Sequence, residues 1–342
     1  INKKTMKKVF YIIAAFALMC GTLTSCNEEW EDELYEELVS FKAPVGSNGV
    51  YDIYMRYNDD GTGQYKVPVI VSGSRSNSKD YIVKISVDND TLAILNSERF
   101  ASGRQDLWFR QLPEQYYSFP KQTCEVKAGQ ITNTFTIDFN LKGLDTQENW
   151  VLPLTIDPDP SYKLNIRSGW DKALLNIKLY NDFSGNYASS NMYVYMDGSE
   201  SDGAVEDYRE CRVVDDRTVF FLAGTTWSED INRALYKVLA KFEEGVTDDK
   251  GVITGNVTLS AGDPNNGINF EVSGPCTYRY EVIPDPTKKY LERRITTMYL
   301  DYKYTDITSD PKNPMRFHVM GNMTMERKYN TQIPDEDQAI LW

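Results

Sequence analysis

The sequence predicts an all-β protein of two units, an Ig-like β-sandwich followed by a second β-unit that is a barrel or a sandwich. Two observations support this prediction. Short runs of alternating apolar and polar residues recur along the chain, and clusters of Gly, Asp, Asn and Pro separate them. Aromatic residues make up 13% of the 342 residues, with 23 Tyr, which is too rich for a disordered chain. The length is sufficient for two hydrophobic cores.

The first predicted unit covers residues 41–181. Its strands are predicted at residues 67–71, 82–87, 123–126, 132–139, 150–156 and 173–179. Short strands at this spacing are typical of an antiparallel sandwich of the Ig-like class. Trp150, Tyr116 and Tyr117 lead into or lie within this pattern, so we expect them to be core and corner residues rather than binding residues.

The second predicted unit covers residues 182–342. Its strands are predicted at residues 192–196, 212–214, 219–222, 252–259, 270–272, 278–282, 295–304 and 316–327. Residues 228–244 are ambiguous, because Leu235 and Leu239 fit helical spacing while Tyr236 and Val238 begin a strand-like alternation. Residues 226–229 have the form of a capping box. We predict a helical turn to about Ala234, followed by a strand.

The N-terminus predicts export and lipidation. Four lysines precede an apolar run at residues 9–20, which is too short to span a bilayer and is typical of a signal peptide, here residues 1–25. Translation starts at Ile1 or Met6. Residues 23–26 resemble the lipobox of bacterial lipoproteins, which implies acyl chains on Cys26 and stable membrane anchoring. The acidic tether, residues 26–40, resembles the export tag of outward-facing Bacteroidetes outer-membrane lipoproteins.

Charge and motifs argue against several functions. The formal charge is −13, and removing residues 1–25 with their four lysines would make it −17, which disfavours nucleic acid. His318 is the single histidine, and phosphate loops and nucleophile elbows are absent from the sequence. The 50 acidic residues neither support nor exclude a glycosidase pair. We therefore predict a non-catalytic protein with no cofactor and no metal, in which the acidic segment 197–203 is a hairpin turn and Cys124, Cys211 and Cys276 are small buried hydrophobes.

Sugar binding requires exposed aromatic faces beside hydrogen-bonding groups, because C–H groups of a pyranose pack on an aromatic ring. Trp227 has polar neighbours on both sides, with Glu229 and Asp230 close enough in sequence to bind hydroxyl groups. Trp170 and Trp108 lie in similar polar surroundings. Tyr193 and Tyr195 share one strand face and form a candidate platform, although we expect them to fill the interior of the second unit. We predict that the main site lies in the second unit, at Trp227.

Six short stretches resemble one family, namely residues 112–117, 126–129, 151–156, 183–187, 300–306 and 319–327. They are similar to the two-domain Bacteroidetes surface lipoproteins encoded beside SusC/SusD-type glycan importers. The resemblance implies an Ig-like sandwich followed by a lipocalin-like β-barrel. It also implies non-catalytic binding of a polysaccharide or oligosaccharide, with a SusC/SusD-type transporter complex as a partner. Two other functions stay open: a structural or assembly surface lipoprotein of the fimbrial-anchor type, and a lipid-anchored glycosidase.

Overall fold

The structure is a computed structural model, and it describes residues 35–73, 76–334 and 338. The predicted signal peptide and Cys26 lie outside the described residues. Among the helices of the described part, none is long and apolar enough to cross a bilayer. The described chain is built almost entirely from β-strands.

Among the described residues, ten strands and one α-helix form the first region. The strands are β1 (Leu38–Phe41), β2 (Tyr51–Arg56), β3 (Thr62–Ser72), β4 (Tyr81–Val87), β5 (Phe109–Gln111), β6 (Tyr117–Ser118), β7 (Thr123–Val126), β8 (Thr132–Asn140), β9 (Asn149–Ile156) and β10 (Lys172–Tyr180). The α-helix is α1 (Thr91–Arg99), and short 3₁₀ turns occupy Gln105–Leu107, Glu114–Tyr116 and Arg167–Gly169. Helix α1 is absent from the strands and turns predicted from the sequence. Its buried Asn96 is held by hydrogen bonds with both the N–H and the carbonyl of Phe109, each 2.9 Å long.

Two sheets share the core of this region. Among the described residues one sheet has the order β1-β3-β8-β6 and the other β2-β10-β9-β4-β7, with β5 beside β9. Buried side chains of both sheets, such as Val67, Phe135, Leu152 and Leu175, belong to one hydrophobic cluster. Tyr116, Tyr117 and Trp150 pack partly buried against it, as expected. The Ig-like topology stays a prediction.

Two details of the prediction for this region are wrong. The pairing is not purely antiparallel, because β2 runs parallel to β10 and β5 runs parallel to β9. Alternation along a strand determines which side chains share a face, and it carries no information about the direction of a distant partner. The predicted tether also extends too far, because β1 begins at Leu38 and buries Val39 and Phe41 in the core.

Eleven strands follow in the described part of the second region. They are β11 (Gly185–Met196), β12 (Ser199–Val205), β13 (Tyr208–Val213), β14 (Thr218–Leu222), β15 (Lys237–Phe242), β16 (Val246–Thr247), β17 (Ile253–Ala261), β18 (Glu271–Val272), β19 (Thr277–Pro284), β20 (Leu291–Asp306) and β21 (Met315–Asn330). The predicted hairpin turn at residues 197–203 is shorter in the structure, because the turn consists of residues 197–198 and residues 199–203 belong to β12.

Eight of these strands close into a barrel. In the described residues the ring runs β11-β13-β14-β15-β17-β19-β20-β21 and returns to β11, and every pairing is antiparallel. The barrel, not the sandwich, is therefore the architecture of the second region. Large side chains including Tyr187, Phe221, Phe242 and Tyr302 are fully buried and fill the interior, as is usual for a barrel of this size. Among the described residues, the closed ring leaves no gap between neighbouring strands of the barrel for a donor strand.

Residues 228–244 form a turn and a strand. The capping-box prediction is wrong, because no helix begins at residue 226 and the 3₁₀ turn spans Arg233–Tyr236 without a side-chain cap. The strand β15 then buries Val238, Ala240 and Phe242 in the barrel. The predicted order of turn and strand is correct, but the turn ends two residues later, at Tyr236. Burial of three alternate side chains outweighs the local helical signal.

Polar contacts join the barrel to the first region. Arg212 donates from Nη1 to the carbonyls of Thr146 and Gln147, at 3.1 and 3.0 Å. The Arg56–Asp182 ion pair, at 3.0 Å, also bridges the two regions. The segment at residues 144–148 of the first region therefore lies directly against the outer wall of the barrel.

Candidate functional site

A cleft of about 550 Å³ opens on the outer wall of the barrel, beside the first region. Outward-facing residues of β11, β13 and β14 line its floor, and Gln147 of the first region lines one side. The loop after β14, which carries Trp227, lines the other side. This volume lies in the usual range for small-molecule sites, roughly 300–1,000 Å³.

Trp227 is an exposed residue of this cleft. Its side chain is 69% exposed, as its polar flanks predict. Two backbone hydrogen bonds fold the loop around it, from the N–H of Thr226 to the carbonyl of Ala223 and from the N–H of Asp230 to the carbonyl of Trp227, at 3.1 and 3.0 Å. The indole ring is therefore presented to solvent on a turn with its own hydrogen bonds.

The first region braces the loop of Trp227 from behind. Asp106 accepts from Nη1 of Arg233 at 2.8 Å and from Arg104 at 3.0 and 3.1 Å. Arg104 also donates to the backbone carbonyl of Glu229. Hydrogen bonds from Arg104 and then Arg233 hold the pKa of the Asp106 carboxyl well below its usual range. Since both arginines contact Asp106, the loop and the first region are joined at one ion-pair network.

Tyr208 is a second exposed aromatic residue of the cleft, and it is not among the binding residues predicted from the sequence. It is the first residue of β13 and is 71% exposed. Arg209, Cys211 and Val213 of the same strand are buried, so alternation places Tyr208 on the outer face. Its acidic neighbours, Glu206 and Asp207, give the same signal of polar flanks that identified Trp227.

Glu206 and Asp207 supply carboxylates to the cleft. Within the described residues neither side chain forms a hydrogen bond or an ion pair; their backbone carbonyls accept from the side chain and the N–H of Ser189. The third acid of the lining, Glu210, is different, because it is paired with Arg212 at 2.8 Å. Two carboxylates are thus available to accept hydrogen bonds from a ligand.

The acids predicted beside Trp227 take other positions. Glu229 is exposed and Asp230 half-buried, and neither is among the residues that line the cleft. Oδ1 of Asp230 accepts the N–H of Asn232 at 2.6 Å and so stabilises the turn. The carboxylates that line the cleft are therefore those of Glu206 and Asp207, and not the predicted Glu229 and Asp230.

The other predicted tryptophans lie outside the cleft lining. Trp170 is 50% exposed and follows a turn of the first region, where its carbonyl accepts the N–H of Phe41. Trp108 is half-buried, and its indole Nε1 is buried without a hydrogen-bond partner among the described residues. Trp108 directly follows the turn that contains Asp106, so it lies close to the brace of the Trp227 loop.

Tyr193 and Tyr195 point outward from β11, so the expectation that they fill the barrel is wrong. Their rings stack at 5.9 Å between centroids, and Tyr193 is 40% exposed. The reason is a shift of register in β11 between Ala188 and Asn191. Such an irregularity reverses the alternation of side chains. Before it the odd-numbered Tyr187 points inward, and after it the even-numbered Met192 points inward, which turns Tyr193 and Tyr195 outward.

The remaining reactive groups are packed side chains. His318 is 9% exposed, with Nε2 at 2.8 Å from Oδ1 of Asp301. Cys124, Cys211 and Cys276 are buried and free, as predicted, and burial raises the pKa of Cys124 to about 11. Within the described residues no group of His, Cys, Asp and Glu side chains is arranged to hold a metal ion.

Fold and cleft together define the protein as a nearly all-β protein with an open aromatic cleft on a closed barrel. Comparison with known proteins identifies its family. The family described as a domain of unknown function, DUF4973, matches residues 30–160, and a family described as a C-terminal domain matches residues 171–324. No curated protein sequence is detectably similar to this chain.

Solved structures from Bacteroides match nearly the whole chain. A multidomain protein including DUF1735 from Bacteroides ovatus is 40% identical, covers 89% of this chain and 99% of its own, and has a TM-score of 0.77. A protein of unknown function from the same species is 32% identical and has a TM-score of 0.79; the match covers 92% of this chain and 98% of that protein. An auxiliary nutrient binding protein from Bacteroides thetaiotaomicron is 31% identical and has a TM-score of 0.74; the match covers 90% of this chain and 100% of that protein. The chain belongs to this Bacteroides family.

Proposed function

We propose that this protein binds polysaccharide without hydrolysing it, in the cleft of Trp227 and Tyr208, and serves a SusC/SusD-type uptake system. The observation that carries the proposal is the presence of two exposed aromatic side chains, 69% and 71% exposed, in one cleft with free carboxylates. A relative of 31% identity is named an auxiliary nutrient binding protein, which supports a binding role.

The chemistry of the cleft suits a sugar. An exposed ring offers its negative face to the C–H groups of a pyranose, and this contact contributes roughly 0.5–1.5 kcal/mol beyond burial. The carboxylates of Glu206 and Asp207 accept hydrogen bonds from hydroxyl groups, and bonds to a charged acceptor are stronger than neutral ones. Thr226, Ser228 and Asn186 add neutral polar groups to the same lining.

Affinity gels test the proposal. The full mature protein is run through native gels that contain amylopectin, xyloglucan, galactomannan, laminarin, yeast mannan or chondroitin sulfate. Retardation by at least one polysaccharide is expected, and no reducing ends should form when the protein is incubated with the retained polymer. Unretarded migration in every gel would contradict the binding role. Sustained release of reducing ends that one carboxylate variant abolishes would make the protein a glycosidase.

The proposed location is the outer face of the outer membrane, with Cys26 carrying the acyl chains. The lipobox-like residues 23–26 and the acidic residues after them motivate this proposal. Proteinase K added to intact cells should degrade the protein together with a known surface lipoprotein, and Cys26→Ala should release it from the membrane fraction. Survival of the protein while the surface lipoprotein is degraded would place it elsewhere.

A further inference from the structure

The charges that line the cleft are unequally available to a ligand. Three arginines and three acids belong to the lining: Arg209, Arg212, Arg233, Glu206, Asp207 and Glu210. Because a cation that is already paired gives little to an incoming anion, the partners of each group decide which ligand charge the cleft accepts.

Two of the arginines are occupied by acids. Nη2 of Arg212 pairs with Glu210 at 2.8 Å, while its Nη1 donates to backbone carbonyls of the first region. Arg233 pairs with Asp106 at 2.8 Å, and its side chain is only 9% exposed. A ligand anion would have to compete with these existing partners at either guanidinium.

The third arginine is enclosed. Arg209 is 6% exposed, and its Nη1 donates to the carbonyls of Leu222 and Gly224. Its Nε and Nη2 have no hydrogen-bond partner among the described residues, yet each of these atoms exposes less than 1 Å² to solvent. An anion in the cleft cannot touch them without a rearrangement of the barrel wall.

The acids show the opposite balance. Asp207 is exposed and Glu206 is half-buried, and neither is engaged in an ion pair within the described part of the chain. A ligand carboxylate or sulfate placed beside these two like charges would be repelled. The same carboxylates accept hydrogen bonds from uncharged hydroxyl groups.

We infer that the cleft takes a neutral, hydroxyl-rich glycan and rejects uronate-containing and sulfated glycans. This inference rests on the proposed function and specifies its ligand class. The two free carboxylates accept hydrogen bonds from the hydroxyl groups of the ligand. The arginines are paired or enclosed and do not contribute a binding site for an anion. Trp227 and Tyr208 provide the apolar contacts that a neutral pyranose needs.

Gel retardation with two sets of polymers tests the inference on the full mature protein. The neutral set is amylopectin, xyloglucan, galactomannan, laminarin and yeast mannan, and the acidic set is polygalacturonate, chondroitin sulfate and heparin. Retardation by a neutral polymer, with at least tenfold weaker affinity for every acidic one, is expected. Retention by an acidic polymer at comparable affinity overturns the inference and leaves the proposed function standing. No retention by either set overturns both.

Paired variants assign the effect to the two carboxylates. Glu206→Gln with Asp207→Asn should weaken binding of the retained neutral polymer about tenfold in isothermal titration, because hydrogen bonds to a charged acceptor are replaced by neutral ones. Glu244→Gln with Asp249→Asn removes the same charge at exposed positions outside the cleft lining and should leave the affinity unchanged. Equal affinity of the two double variants, with equal melting temperatures, would overturn the role of Glu206 and Asp207.

Discussion

Replacing Trp227 by alanine should weaken polysaccharide binding on the order of 30-fold or more and leave the melting temperature nearly unchanged. Stacking contributes roughly 0.5–1.5 kcal/mol, and the lost buried area of the ring brings the total to about 2–3 kcal/mol. Since about 1.4 kcal/mol corresponds to tenfold in affinity, the expected loss follows. The melting temperature should hold because the side chain is 69% exposed in the free protein.

Isothermal titration with the polymer retained in the affinity gels measures this loss, and thermal unfolding measures stability. Trp170→Ala is the matched control, because Trp170 is 50% exposed and lies outside the cleft lining. Unchanged affinity of Trp227→Ala with unchanged stability would move the site elsewhere, and a loss caused by Trp170→Ala would point to that residue. A large drop in melting temperature for Trp227→Ala would show that its ring supports the fold.

Gly224→Ala should destabilise the protein by about 2–5 kcal/mol. Gly224 follows β14 at the base of the Trp227 loop and has a φ of +59°, a left-handed conformation that costs other residues roughly 1–2 kcal/mol. A Cβ atom there would lie 1.8 Å from the hydroxyl oxygen of Tyr304. Tyr304 is 3% exposed and its ring packs against Phe317 and Tyr236, so it has little room to move. Overpacking of this kind typically costs about 1–3 kcal/mol.

Thermal unfolding separates the two contributions. Gly224→Ala should lower the melting temperature on the order of 10 °C, since 1 kcal/mol corresponds to about 2–4 °C in a unit of about 150–250 residues, the size range of the barrel region. Gly251→Ala is the matched control, because Gly251 has a φ of +80° and no atom within 4 Å of an added Cβ. It should lose only the few degrees that the backbone conformation costs. If both variants melt at the same temperature, the clash with Tyr304 is not a determinant of stability.

Local patterns were sufficient to predict most strands. Alternation of apolar and polar residues predicted strands such as β8 and β21, because side chains along a strand point to alternate faces. Clusters of turn residues predicted where consecutive strands end. The helix α1 was missed, since a nine-residue segment with one long-range anchor at Asn96 gives a weak helical signal. The orientation of Tyr193 was missed as well, because a register shift in β11 reversed the alternation.

The cleft was predictable in part. Polar flanks identified Trp227 as exposed, and the same signal at Tyr208 was available in the sequence. The brace at Asp106 was not predictable, because Asp106 and Arg233 are 127 residues apart. Nor could the sequence distinguish Glu206 and Asp207, which are free, from Glu210, which is paired with Arg212.

The sequence by itself determined the predominance of β-structure, most of the strand positions and the solvent exposure of Trp227, because these depend on residues close together in the chain. Only the tertiary structure decided the parallel pairing of β2 with β10, the closure of the barrel between β11 and β21, and the joining of Gln147, Tyr208 and Trp227 in one cleft. These features depend on contacts between distant segments, which are selected by the packing of whole sheets. The alternation of apolar and polar residues describes one strand at a time and does not specify which other strand pairs with it.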